Sequence, residues 1–146
     1  QLEDNDEFRE KLVRQIRIHK PRLLLTHDPN KPYIRHRDHS MTGRVALDAV
    51  FPYARDHVAY PEHLEEGIEP HKVEEVWLFR PEEPNHFVDV TDYFDTRQNA
   101  LHSHVSQVGE RSAERDERSR NRLVETGKKY GVELAEQFHR ITLGRK

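Results

Sequence analysis

Phe8, Leu12 and Ile16 recur every fourth position, which places them on one face of a helix. Asp4-x-x-Glu7 just ahead of them has the form of a capping box. The pattern predicts a helix that ends before Pro21, because proline cannot continue it. Residues 22–26 then read Arg-Leu-Leu-Leu-Thr, a short apolar run bounded by Pro21 and by Asp28-Pro29. Such a run reads as a buried strand of a parallel sheet. Met41, Val45, Ala49 and Val50 give a second helix its apolar face, and Pro52 stops it. Residues 52–72 are rich in Pro, Glu and His and read as a long irregular excursion, a kind of segment that is usually functional or mobile. Residues 73–79, which include Trp77, and residues 87–90 read as strands, followed by a helix from about Thr91 to Ser106. The remainder, from Gly109 to about Ile141, reads as helical with a break near Gly127 or Gly131. Leu134, Phe138 and Ile141 there return to helical spacing and are expected to dock back on the domain.

Helix, short strand and loop in that order make the rhythm of an α/β fold, whose ligands gather beyond the C-terminal ends of the strands. The loop from His27 to Ser40 is therefore the first place to look for chemistry. It carries His36-Arg37-Asp38-His39. A hydrolytic zinc site needs about three protein ligands and an open position for water. One imidazole of the pair can bind metal. The other, held by a carboxylate, can stay protonated and serve as an acid or oxyanion donor, with Asp38 the obvious orienting partner. The plainer alternative is that these residues cap a helix, Asp38 being a good N-cap for a helix beginning near His39.

Composition narrows the classes. The 146 residues suffice for one domain with a modest core. Only 34% are hydrophobic while 35% are charged, so that core must be economical. Between Arg111 and Arg122 the chain is almost wholly charged, and Glu114/Arg118 and Asp116/Arg120 stand at i,i+4, where they can pair along a solvated face. Acidic residues interleave with the arginines there, and the net charge is -3, which speaks against nucleic acid as a partner. There is no cysteine, so neither a disulfide nor a thiolate metal site can form. That fits a reducing compartment, and a cytoplasmic location is expected. No apolar run is long enough to span a bilayer, and residues 1–9 have no signal-peptide pattern.

Several separated motifs, in order, resemble the LmbE-like (PIG-L) family of N-acetylglucosaminyl deacetylases. They are Arg22-Leu-Leu-Leu-Thr-His-Asp-Pro29, then His36-Arg-Asp-His39 against the family's His-x-Asp-His, then residues 73–80. Pro84-Asn-His-Phe-Val-Asp-Val-Thr91 follows, then His104-Val-Ser-Gln107 and Tyr130-Gly-Val-Glu-Leu-Ala-Glu-Gln-Phe138. The resemblance implies a Rossmann-like three-layer α/β fold with a mostly parallel sheet. It implies that His39 is a ligand of Zn2+, that His36 is the protonated imidazole stabilising the oxyanion and assisting the leaving amine, and that Asp38 orients His36. It places His104 and Gln107 near the pocket, as substrate contacts or supports, although both could equally cap a helix end.

The family's Ala-His-Pro-Asp-Asp-Glu motif, which supplies the other zinc ligands and the aspartate base, is absent from these residues. Because the chain also starts at Gln1 rather than Met, residues 1–146 are expected to be the C-terminal part of a single deacetylase domain, N-terminally truncated, with a charged helical tail at about 109–146. Such a portion is expected to be inactive alone and to expose an apolar sheet edge that invites formation of a homo-oligomer. The implied reaction is hydrolysis of an N-acetylglucosamine-type conjugate, a small-molecule amino-sugar substrate, to amine and acetate. Specificity is expected in loops 30–35 and 56–71, where Tyr33, Tyr53, Tyr60 and His63 can meet a sugar. Two rivals stand beside this reading: a degenerate deacetylase fold serving as a non-catalytic binding or regulatory module, and a metal-dependent phosphoesterase, which would need more carboxylates than the loop offers.

Overall fold

A computed structural model describes residues 2–33 and 36–144. The chain divides into two compact units, one formed by residues 1–85 and 138–146 and the other by residues 86–137.

In the first unit, α1 (Asp6–His19) starts at Asn5, whose side chain accepts a hydrogen bond from the Phe8 N–H. The cap is thus Asn5 and not the expected Asp4. Lys20 closes the helix in the left-handed conformation, its N–H bonded to the Ile16 carbonyl. Val13, Ile16 and Arg17 form the buried face. Strand β1 (Leu23–His27) follows, then α2 (Arg37–Val50). Excursion 52–72 holds a 3-10 turn at Tyr53–Arg55 and a short helix α3 (Glu62–Glu65), and leads to β2 (Glu75–Phe79). Val13 and Ile16 of α1, Ala49 and Val50 of α2, Ala54, Val73, Val76 and Leu78 pack into one buried cluster. Each fully buried aliphatic side chain contributes roughly 1.5–3 kcal/mol, so this cluster holds the two helices on one face of the strands.

Excursion 52–72 is packed, and the packing answers the expectation of sugar-binding aromatics there. His63 is 0% exposed. The Tyr60 hydroxyl bonds Asp6 at 3.0 Å, and the Tyr53 ring lies 5.2 Å from the Arg9 guanidinium carbon. Tyr53 and Tyr60 are half-buried, whereas Tyr33 is 99% exposed. Ile34 and Arg35 of the expected specificity loop lie outside the described residues.

The second unit contains β3 (His86–Asp89), a 3-10 turn at Thr91–Tyr93, α4 (Phe94–His102), the single turn α5 (Val105–Val108) and α6 (Ala113–Tyr130). The one helix expected over 91–106 is therefore three short pieces. Gly131, at φ 73°, ends α6, because a left-handed cap costs glycine nothing. Inside α6, a Cβ on Gly127 would sit 2.5 Å from the Val132 carbonyl, so only glycine lets the returning chain pass. Phe87 stacks on Tyr130 at 4.2 Å.

Residues 135–142 form a strand, β4 (Ala135–Thr142), where the spacing of Leu134, Phe138 and Ile141 had predicted helix. This strand changes the fold class. The sheet order is β1-β2-β4-β3. β1 and β2 run parallel, whereas β4 is antiparallel to β2, pairing Trp77 with Arg140 and Phe79 with Phe138. The Asn85 N–H to Phe138 carbonyl and Val90 N–H to Leu134 carbonyl bonds give β3 and β4 the antiparallel sense too. The α/β class holds, but the sheet is mixed with antiparallel pairs predominating, not mostly parallel. The physical cause is β4, which enters as an antiparallel neighbour of both β2 and β3. β1 lies at the edge of the sheet, and its Leu25 is 51% exposed.

Candidate active site

Gly43 decides where the histidine loop ends up. A Cβ there would fall 2.3 Å from the His27 carbonyl oxygen and 3.1 Å from Pro29, so α2 lies directly against the end of β1. Ser40, buried on the same helix, donates to the Pro29 carbonyl at 3.1 Å. These contacts bring His39, on the first turn of α2, over His27. The two imidazoles stack with centroids 4.0 Å apart and planes 7° from parallel. Phe79, at the C-terminal end of β2, meets the His27 ring edge-on at 4.4 Å, and the His36 ring lies 4.6 Å from that of His39. The cluster stands at the C-terminal ends of the two parallel strands, where open α/β sheets place their ligands.

His36 is the N-cap of α2, and its Nδ1 accepts the Asp38 N–H at 3.2 Å. A backbone N–H only donates, so Nδ1 carries the lone pair and Nε2 is the nitrogen that holds the proton of the neutral ring. The link from Asp38 to His36 thus runs through the Asp38 backbone. The Asp38 carboxylate accepts the Leu2 N–H at 3.0 Å, and that bond, with weaker help from His36 and Arg37, holds the carboxyl below its ordinary range. The cap position expected for Asp38 belongs to His36.

His27 was given no role on sequence grounds, yet it is the ring in closest company with His39. Burial, followed by the nearby His39 and Arg80, keeps its pKa below the ordinary histidine value, which favours the neutral ring. Its position at the C-terminal end of the strand run is the one hint the sequence carries; the contact with His39 exists only in the fold.

His104 and Gln107 lie in the second unit. Both are exposed, and their backbones close the turn of α5, the Gln107 N–H donating to the His104 carbonyl at 2.9 Å.

Zinc needs about three protein donors that converge on one point. Among the described residues no three His, Asp or Glu side chains do so. His27 and His39 present ring faces to each other, and ring faces offer no lone pair. The described residues therefore do not make up a complete zinc site, although the His36 and His39 imidazoles could contribute to one.

No family model matches the chain. Diacetylchitobiose deacetylase of Thermococcus kodakarensis is 33% identical over 104 residues, covering 71% of this chain and 39% of that protein. The structure of N,N'-diacetylchitobiose deacetylase from Pyrococcus horikoshii with its inhibitor superposes with a TM-score of 0.84 at 26% identity, covering 97% of this chain and 54% of that one. A conserved protein of Thermus thermophilus has the same fold, with a TM-score of 0.78 at 24% identity over 99% of this chain and 63% of its own. The chain has a PIG-L/LmbE-type deacetylase fold. It spans between about two fifths and two thirds of the length of the relatives it matches.

No helix among the described residues is long and apolar enough to cross a membrane.

Proposed function

We propose that the protein to which this chain belongs is a zinc-dependent N-deacetylase that hydrolyses the acetamide of an N-acetylglucosamine-type conjugate. The observation that carries the reading is the His27–His39–His36 cluster at the C-terminal ends of β1 and β2, on a fold that matches a diacetylchitobiose deacetylase at a TM-score of 0.84. Likeness to the enzyme of Thermococcus kodakarensis supports the substrate class.

Amide hydrolysis requires that water add to the carbonyl carbon, that the resulting oxyanion be stabilised, and that the nitrogen gain a proton as the C–N bond breaks. In this reading His36 presents Nε2–H as a hydrogen-bond donor to the oxyanion, its Nδ1 being occupied by the Asp38 N–H. To give the leaving nitrogen its proton the ring would act as imidazolium, with Nδ1 released from that bond and protonated. Asp38 acts as a positioning residue, fixing the His36 ring through its backbone and the start of α2 through its carboxylate. His39 serves as one ligand of a zinc ion, which when bound would polarise the carbonyl and lower the pKa of water. His27 holds the His39 ring in plane by stacking. His104 and Gln107 are assigned to substrate contact or support.

A non-catalytic binding module on the same fold is the second reading, favoured by the lack of a complete zinc-ligand set among the described residues. Acetate release from N,N'-diacetylchitobiose and related conjugates by the intact gene product tests the choice. Release that stops on chelation and returns with added zinc is the expected result. Saturable binding of the sugar without any acetate would sink the enzyme reading in favour of the module.

A further inference from the structure

In the first unit, Leu78 of β2 and Ile141 of β4 form the floor of an open cavity of about 380 Å³, with Leu47 of α2 and Pro32 as apolar walls. That size lies within the ~300–1,000 Å³ typical of small-molecule sites. The rim is polar, formed by Asp28, Asn30, Glu82, Glu83 and His139.

The two loop walls are tied to each other. One Asp28 carboxylate oxygen accepts the Asn30 N–H at 2.9 Å, and the other faces the Glu82 N–H at 3.4 Å. Lys31 and Glu82 add an ion pair at 3.7 Å. The cavity is therefore shaped before any ligand arrives, which spares a ligand the cost of ordering it.

The rim is also one-sided in its chemistry. His139 donates its Nδ1–H to the Glu83 carbonyl at 2.7 Å, so Nε2 of the neutral ring is an acceptor. The Glu83 carboxylate has no hydrogen-bond or ion-pair partner among the described residues. Among the described residues, apart from Lys31, which Glu82 already engages, the charged groups at the mouth are carboxylates. A metal ion is the wrong size and shape for the site: no three of these donors converge on one point, and the floor is hydrocarbon. The complement is a ligand with an apolar body for Leu47, Leu78 and Ile141 and a cationic donor at one end.

We infer that this cavity binds a small organic ammonium, its apolar part on Leu47, Leu78 and Ile141 and its N–H groups turned to Glu83, Asp28 and His139. The site shares no residue with the His27–His36–His39 cluster, and the inference stands whether or not the deacetylase reading does.

Benzylammonium is a suitable probe, and benzyl alcohol is its neutral counterpart. Both are titrated into the chain at low salt while NMR follows the methyls of Leu47 and Ile141 and the His139 ring. The expected result is saturable shifts of these signals with benzylammonium. Benzyl alcohol, and benzylammonium with Glu83→Gln, should each bind about two- to fivefold more weakly, the range an exposed charge pair supplies. Glu83 is exposed, so that variant should fold as the parent does, and its unfolding temperature checks the point. Absence of saturable shifts, equal binding of the alcohol and the ammonium, or indifference to Glu83→Gln would each overturn the inference.

Discussion

Each of the two compact units is organised around a single ion, and the two ions solve the same problem with opposite chemistry. In the first unit the ion is Arg17, 1% exposed on the inner face of α1. Its guanidinium donates to the carbonyls of Tyr53, Ala54, Asp56, Ala59 and Tyr60 at 2.7–3.4 Å. Nη1 also reaches His63 Nδ1 at 3.1 Å, and His63 Nε2 lies 2.7 Å from Glu10. The five N–H groups thus serve six acceptors, the two of Nη2 being shared among the Tyr53, Asp56 and Ala59 carbonyls. In the second unit the ion is Asp116, on α6. One oxygen accepts from His102 at 2.6 Å and Gln98 at 2.7 Å, and the other from Arg111 at 2.9 Å. Arg17 gathers backbone, so it shapes a loop. Asp116 gathers side chains of α4 and of the segment just before α6, so it fastens one helix to another. A loop with few apolar residues has its carbonyls as its main handle, and only a donor-rich cation can hold five of them at once. Helices have already satisfied their carbonyls and can be joined only through side chains.

The largest effect should come from Arg17→Met. It keeps the aliphatic stem but leaves five carbonyls and His63 without their donor, and such a loss costs about 3–5 kcal/mol. Thermal unfolding should drop accordingly, and amide exchange in residues 53–60 should accelerate. Asp116→Ala should lower the unfolding temperature by less, since it strands three donors where Arg17→Met strands six acceptors, and one of the three, Arg111, is half exposed and can turn to water. An equal or larger loss there would reverse the ranking of the two hubs.

Acid should single out the second hub. The hydrogen bond from His102, then those from Gln98 and Arg111, depress the Asp116 pKa from 3.8 to about 2. A carboxyl with a lowered folded-state pKa contributes stability that is present above the unfolded value and lost as pH falls through the folded one. Stability from Asp116 should therefore be intact above about pH 4 and fade between there and about pH 2. Asp116→Asn should remove that part of the acid dependence, as read in unfolding midpoints over this range.

The smallest effect concerns one proton. Arginine only donates, so His63 Nδ1 must be the acceptor and its Nε2–H must point at Glu10. Nitrogen NMR near neutral pH should find this tautomer. His63→Gln, whose carbonyl can accept from Arg17 while its amide donates to Glu10, should cost no more than about 1 kcal/mol.

The first unit was readable where proline punctuates a clear period. Pro21 divides α1 from β1 and Pro52 stops α2, and the apolar positions of these helices fall where the fold needs them. The family resemblance then pointed to the α/β class but not to the mixed sheet, which it implied to be mostly parallel. What escaped was whatever depends on distant partners. Ala135 and Phe138 are buried three residues apart on β4, since a strand lying between two others need not alternate, and that spacing imitates a helix. Arg17 looks like a solvated position because the carbonyls that satisfy it lie some forty residues away. Asp116 was expected to pair with Arg120 along α6. Arg120 pairs instead with Glu133, while Glu114 and Arg118 do pair as their spacing implied, at 3.3 Å. In the candidate site, His36 and His39 stood out by their motif. His27 became visible only once α2 had folded back onto β1, and the role of Gly43 in that contact cannot be read from one residue type.

The most direct test of the central claim measures zinc content and acetate release together, in the intact gene product and in its His39→Ala and His36→Ala variants. The account predicts that His39→Ala loses both metal and turnover, while His36→Ala keeps its metal and loses turnover. Full zinc and full turnover in both variants would contradict it, and would leave the histidines as no more than the cap and first turn of α2.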